Sequence, residues 1–402
     1  MKPTSEWKPP SRSRSVQSLG GRTGCGSGTG AALRAIGPVE PPSGISTRRG
    51  ALPIGGYRLA RRKIPGAATY EAAPNIALVK YWGLRDPARM LPYNSSVSVT
   101  LSGLRTRTSV EFDPELTADA LVLNGKPATG GPLESASRFL ERVRQRAHVE
   151  GFVRIESRNN FPTASGLASS ASGYAALAGA ASRAVGLPES APALSELARY
   201  GSGSACRSVY GGYVEWQAGH RPDGGDCYAK PLFGPKHWPE LVDLVAIVRD
   251  APEKAVRSQE SMQRSVESSP EYRARQRALP RRIGLLRRAL RLREAGTFFR
   301  LVMEECDEFR HICETTDPPL DYLTSTSREL LGAVEELNHG PDGPIAGYTH
   351  DAGAHVHLFV LRKDLRRLRE AVRPIRGVAR TYATGAGPGG RYLGRRRGPP
   401  VD

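Results

Sequence analysis

The sequence predicts a two-domain α+β fold, an N-terminal domain followed by a C-terminal helical-plus-sheet domain. Three observations lead there. Segments of strand-like alternation interleave with segments of helical spacing. The composition turns to long arginine-rich helical patterns after Pro252. The 402 residues are enough for two domains that each bury a core.

No element is drawn before Ala67. From there TYEAAPNIALVKYWG carries an apolar stretch, Ile76 to Val79, that ends in Lys80 and a glycine turn. SVSVTL (Ser96 to Leu101) and RTSVEF (Arg107 to Phe112) alternate as strands do, and LESASRFLERVRQRA (Leu133 to Ala147) sets Leu133, Phe139, Leu140 and Val143 at helical spacing. GFVRIESR returns to a strand pattern. The alanine-rich SSASGYAALAGAASRAVG (Ser169 to Gly186) is a strong helix former with a small-residue face, directly after a glycine-containing loop. SELARYG predicts a short helix, and VYGGYVEW and LVDLVAIV two strands.

Beyond Pro252, RRIGLLRRALRLREAG puts Ile283, Leu286 and Leu290 on one stripe. It reads as a solvated arginine face over an ordinary core stripe, although a basic helix also suits a membrane surface or a partner. AHVHLFVL predicts a strand and LRRLREAVR a helix. The expected division is a basic, disordered tail over residues 1–65, an N-terminal domain over 66–250, a C-terminal domain over 251–393 and a loose tail from Gly394.

The formal charge of +18 is concentrated: residues 1–65 hold twelve Lys/Arg against two acids, which leaves +8 for the remaining 337 residues. Apart from Arg395 to Arg397, that remainder has no basic run interleaved with aromatics of the kind that tracks a nucleic-acid backbone. Its modest excess suits an anionic small substrate. The first segment, rich in Ser, Arg, Gly and Pro, reads as a flexible tail, a transit peptide or the product of a start site placed too far upstream. Cys25, Cys206, Cys227, Cys306 and Cys313 are odd in number and widely spaced, so reduced thiols in a cytoplasm are expected rather than a disulfide framework or zinc site. No apolar run reaches the length of a membrane span, so a soluble protein is expected.

In NNFPTASGLASSASG (Asn159 to Gly173), Pro162, Gly166 and two consecutive serines stand just before the alanine-rich helix. Free backbone N–H groups and the positive end of the helix dipole converge there, which is how a chain holds phosphate. A loop of this composition also serves simply to cap a helix. It is neither the GxxxxGK[ST] loop nor a GxGxxG turn. Lys80, at the end of an apolar strand, is costly to bury unless an anion meets it, although a strand-end lysine also snorkels. In GSGSACRS, Ser202 and Ser204 offer hydroxyls and Arg207 a fork for carboxylate or phosphate. Asp351 in YTHDAG sits in a short turn where Ala352 and Gly353 allow close approach, and turn-capping is its plainer role.

The whole string from Asn159 resembles the phosphate-binding motif PxxxGLxSSA of the superfamily of galactokinase, homoserine kinase, mevalonate kinase and phosphomevalonate kinase. NIALVKYWG (Asn75 to Gly83), LPYNSSVSVTL (Leu91 to Leu101), GSGSACRSVYGGYVEW (Gly201 to Trp216) and YTHDAG (Tyr348 to Gly353) resemble, in the same order, the diphosphomevalonate decarboxylase family. The likeness spans residues 68 to about 393. It implies a two-domain α+β GHMP-kinase fold, with an N-terminal domain like ribosomal protein S5 domain 2, a ferredoxin-like α+β C-terminal domain and the active site in the cleft between them.

The resemblance further implies ATP-dependent decarboxylation of mevalonate 5-diphosphate to isopentenyl diphosphate, with ATP and Mg2+ as cofactors, in a cytoplasmic homodimer without nucleic-acid or membrane partners. The catalytic residues it implies are Asp351, Lys80 and Arg207. Tyr81, Lys80, Ser202, Ser204 and Arg207 would contact substrate. Ser165, Gly166, Leu167, Ala168, Ser169 and Ser170 would hold the ATP phosphates, with Mg2+ near Ser169 and Ser170. Asn94, Ser96 and Ser98 fall in the family's nucleotide-side stretch. Two departures are visible: Leu84 stands where the family often has a second lysine, and His350 where it has Phe before the aspartate.

His350, His355 and His357 are close in sequence, and the last two could share a strand face, but no Cys or acidic partner at ligand spacing joins them beyond Asp351. Strand-end histidines are the plainer reading. The remaining alternatives are a decarboxylase of the monophosphate, a sister kinase without decarboxylation, and a nucleic-acid-binding protein acting through the basic tail.

Overall fold

The computed structural model describes residues 66–161, 169–249, 251, 258–341 and 343–394, all within the compact unit that starts at Arg61. The expectations for residues 1–65 and for Arg395 to Arg397 lie outside the described residues, as do Ser165, Gly166, Leu167 and Ala168 of the predicted phosphate loop.

A six-stranded sheet runs in the order Arg391–Leu393, Ala67–Ala72, Thr106–Phe112, Val153–Asn159, Ala120–Leu123 and Lys126–Ala128. Its neighbours are antiparallel except Ala120–Leu123 beside Val153–Asn159. The strands Thr106–Phe112 and Val153–Asn159 alternate buried and open positions, as their sequences predicted. Helix Ser169–Val185 lies on this sheet. Its alanines are almost all buried, because small side chains let strands and neighbouring helices approach it from several sides. Helix Gly131–Ala147 buries Ala136, Phe139, Leu140 and Val143 in the same core.

A second, antiparallel sheet orders Ala229–Phe233, Tyr213–Trp216, Ser96–Thr100 and Asn75–Val79. A third orders Ala346–Thr349, Val356–Leu361, Leu241–Val248 and Val378–Thr384. Helices Tyr272–Leu292 and Ala295–Glu314 bridge the two, contributing Leu279, Ile283, Leu286, Phe298 and Phe299 to one apolar core shared with Ile76, Leu78, Val99 and Phe359. Helix Ser325–Asn338 and helix Leu365–Val372 cover the other face of the third sheet.

Three expectations need correction. The strand Leu241–Val248 pairs with Val356–Leu361 and Val378–Thr384, so the chain enters its C-terminal lobe before Leu241 rather than near residue 250. The composition shift marked the first helices of that lobe and overlooked its first strand. Further along, Arg391–Leu393 pairs with Ala67–Ala72, so this segment belongs to the N-terminal sheet rather than to the C-terminal domain. The arginine-rich helix buries Ile283, Leu286 and Leu290 as predicted, and Arg273, Arg277 and Arg281 are exposed, but Arg275 is fully enclosed. A uniformly solvated arginine face is therefore wrong.

Gly179 faces the ring of Tyr70, and a Cβ there would lie 2.4 Å from it. Alanine is the better helix former by up to about 1 kcal/mol, yet overpacking a buried ring costs about 1–3 kcal/mol. Gly179→Ala is therefore expected to lower stability, read as a lower denaturant midpoint at unchanged slope.

Candidate active site

Lys80 follows the buried strand Asn75–Val79, whose register slips against Ser96–Thr100 between Ala77 and Val79. A slip of this kind re-aims the side chains that follow it. The Lys80 ammonium donates to the Ala77 carbonyl and to Asp351 Oδ1, each at 2.9 Å. Asp351 stands in the turn after strand Ala346–Thr349, where the Gly353 N–H donates to the Asp351 carbonyl at 2.7 Å. The two side chains differ in access: Lys80 is 4% exposed and Asp351 33%. The lysine is thus enclosed, and the carboxylate is half-buried.

Burial pushes the Asp351 carboxyl upward, but the Lys80 charge and hydrogen bond, aided by His357 and Arg207, hold it below the usual carboxylate range. Arg207 lies in the short helix Ala205–Ser208 and is buried. Its Nε donates to Asn75 Oδ1 at 3.2 Å and its Nη1 to Ser96 Oγ at 2.6 Å. Burial lowers its pKa, and Cys206, Asp351 and Tyr81 act against that. The sequence-predicted charges therefore meet: Asp351 bonds Lys80 and feels Arg207 as a neighbouring charge.

The Ser202 and Ser204 hydroxyls lie 3.3 Å apart, and Ser202 Oγ is 3.5 Å from Ser170 Oγ, which ties the GSGSA loop to the start of helix Ser169–Val185. The Tyr81 ring packs edge-on against Trp216. Gly203 fits beneath them; a Cβ there would come within 2.7 Å of Tyr81 and 3.0 Å of Trp216, which explains the glycine in GSGSA.

Asn94 donates to the Lys80 carbonyl at 3.0 Å, Ser96 accepts from Arg207, and Ser98 is buried in the sheet. The stretch read as nucleotide-side thus has two residues tied to the charged pair's own scaffold. Sequence reasoning also missed what holds that scaffold. Asn75 Nδ2 donates to the Ser204 carbonyl and Ser208 Oγ, joining the first and third motifs. Glu305, Arg275 and Arg282, outside every motif, form a buried ion cluster against Lys80.

The three histidines have separate partners. His350 Nδ1 lies 2.7 Å from the Asp351 carbonyl, His355 Nδ1 accepts from Val248 N–H, and His357 Nδ1 lies 2.7 Å from Asp243 Oδ2. Among the described residues no group of three His, Cys, Asp or Glu is placed to hold a metal. The first turn of helix Ser169–Val185 contains no acidic residue, and the two serines there are accessible, so an anion and its accompanying cation fit this end.

Fold and site together define a two-lobed α+β enzyme in which a lysine–aspartate pair has Arg207 as a neighbouring charge, and a serine-lined helix start is tied to the Ser202–Ser204 loop that leads into Arg207. Residues 72–229 match the family model of the diphosphomevalonate decarboxylase-like N-terminal domain, and residues 244–384 that of the mevalonate 5-diphosphate decarboxylase C-terminal domain. The diphosphomevalonate decarboxylase of Eremothecium gossypii is 41% identical over 315 residues, covering 75% of this chain and 79% of that protein. Among solved structures, MDDEF in complex with MVAPP, AMPPCP and magnesium is 34% identical with a TM-score of 0.76, covering 82% of this chain and 99% of that one. Mevalonate diphosphate decarboxylase from Staphylococcus aureus is 32% identical with a TM-score of 0.77, covering 82% and 98%. The chain belongs to the diphosphomevalonate decarboxylase family.

Burial, and for His350 the Lys80 charge, pushes the pKa of His350 and of His355 from 6.5 down to about 4. As pH falls below the ordinary histidine value, the unfolded chain takes up protons that the folded chain refuses. Stability therefore drops between those two values, by roughly 2–3 kcal/mol per histidine at the low end. His350→Phe is expected to shrink the difference between unfolding temperatures at about pH 7 and about pH 5.

Proposed function

We propose that this protein carries out ATP-dependent decarboxylation of mevalonate 5-diphosphate to isopentenyl diphosphate, releasing ADP, phosphate and carbon dioxide. The observation that carries this reading is the 2.9 Å pair between enclosed Lys80 and half-buried Asp351, with Arg207 as a neighbouring charge. Family membership supplies the reaction class.

In this reading Asp351 accepts the hydrogen bond of the substrate's tertiary hydroxyl and orients it. With its pKa held low it is a weak base, so the proton passes to it only as the oxygen–phosphorus bond forms. Lys80 keeps the carboxylate ionised, and Arg207, aimed by Asn75 and Ser96, faces the substrate carboxylate. ATP and Mg2+ supply the phosphoryl group and neutralise its charge, and Ser169 and Ser170, with the N–H groups of their helix start, would hold them. Departure of the tertiary phosphate leaves positive character on its carbon. The bond to the carboxylate then breaks, its electron pair forms the alkene, and carbon dioxide leaves. Tyr81, Ser202 and Ser204 line the substrate side.

A cytoplasmic homodimer completes the proposal: the family resemblance supports the dimer, and free buried Cys206, Cys227, Cys306 and Cys313 suit a reducing compartment. Among the described residues no helix is long and apolar enough to cross a membrane.

A coupled assay of ADP and carbon dioxide, run with mevalonate monophosphate and diphosphate, tests the reaction. Carbon dioxide release from the diphosphate is expected, and ADP without carbon dioxide would mark a kinase. Asp351→Asn is expected to cut turnover by about 10²–10⁴-fold while ATP affinity stays within about twofold of wild type, since the nucleotide site stands at another element.

A further inference from the structure

The strand Asn75–Val79 ends one residue before Lys80, so the Lys80 peptide groups lie past the ladder yet remain buried. Buried backbone groups need partners. Glu305, on helix Ala295–Glu314, provides one: its Oε1 accepts the Lys80 N–H at 2.9 Å, where a neighbouring strand would otherwise offer a carbonyl. Arg275 Nη2 donates to the same Oε1 at 2.5 Å and to the Lys80 carbonyl at 3.0 Å. Three residues earlier on its helix, Tyr272 donates its hydroxyl to the Trp82 carbonyl at 2.8 Å. One helix face therefore grips alternate carbonyls of the KYW segment.

The Glu305 and Arg275 side chains are both 0% exposed. Arg282 Nη1 donates to Glu305 Oε2 at 2.5 Å and to Glu308. Two arginines and two glutamates thus balance one another. The cluster brings no net charge to compete with Asp351 for the lysine, so its effect on Lys80 is geometric.

We propose that Glu305 is a positioning residue for the decarboxylation: as a surrogate strand partner it fixes the Lys80 peptide, and with it the ammonium on Asp351. The proposal rests on reading the Lys80–Asp351 pair as the reacting site. Removing Glu305 alone would strand buried Arg275, so the informative variant is the double Arg275→Met/Glu305→Met, which exchanges the ion pair for apolar chains of similar length.

In the purified full-length enzyme the double variant is expected to lose about 30-fold or more in kcat for carbon dioxide release, with KM for ATP within about twofold. The acid limb of its kcat profile moves to higher pH, because Asp351 loses Lys80 as a partner. Glu305→Gln, which keeps an oxygen for the Lys80 N–H, recovers most of the rate. A folded double variant with wild-type kcat and an unmoved acid limb overturns the proposal, as does Glu305→Gln with no recovery. If the double variant does not fold, Glu305→Asp, which withdraws the oxygen by one methylene, takes its place with the same two outcomes. Asp351→Asn alongside separates the failures: normal carbon dioxide release there sinks the site reading, whereas an inactive Asp351→Asn beside unaffected Glu305 variants sinks only the positioning role.

Discussion

The lysine–aspartate contact between the lobes is the constraint around which the rest is arranged. A lysine 4% exposed is expensive unless a carboxylate meets it, and the carboxylate comes from 271 residues away in the chain. Both partners must therefore be held by elements that do not drift. The apolar core shared by strand Asn75–Val79, helix Tyr272–Leu292, helix Ala295–Glu314 and Phe359 provides that. An interface of this kind ties the lobes more firmly than a polar contact between domains does.

Electrostatics around the carboxylate follows from the same packing. His350 is buried beside Lys80 and stays neutral over the ordinary working range, so it adds no further cation next to Asp351. Arg207 is enclosed and oriented by Asn75 and Ser96, which leaves it acting as a fixed charge. The half-buried Asp351 carboxylate thus stands beside two cations whose own partners hold them in place. In the proposed reaction such preorganised charge costs no rearrangement when the substrate's own charge develops.

Much of this was legible in the residues. Lys80 announced itself as a charge at the end of an apolar strand, and the alanine-rich helix by its composition, whereas the place of Gly203 under Tyr81 and Trp216, which admits no side chain, shows only in the packing. The periodicity of Thr106–Phe112 and Val153–Asn159 gave their buried faces directly. Glu305 and Arg275 were illegible for a physical reason: in a helix full of arginines nothing local distinguishes the one that is enclosed, because its partner lies on a different helix. Leu241–Val248 was read as a strand but assigned to the wrong lobe, since pairing is a property of the sheet and not of the segment. Asn94 and Ser96 show the same limit, their partners being Lys80 and Arg207 from other motifs.

The pairing of Arg391–Leu393 with Ala67–Ala72 makes the two ends of the described chain neighbours in one sheet. On the ribosome the first strand is made more than three hundred residues before its outer neighbour. Throughout that interval one margin of the N-terminal sheet presents unpaired amides and carbonyls, the feature that invites association between chains. Emergence of Arg391–Leu393 covers that edge of the first strand, which couples the N-terminal sheet to the arrival of a segment more than three hundred residues downstream.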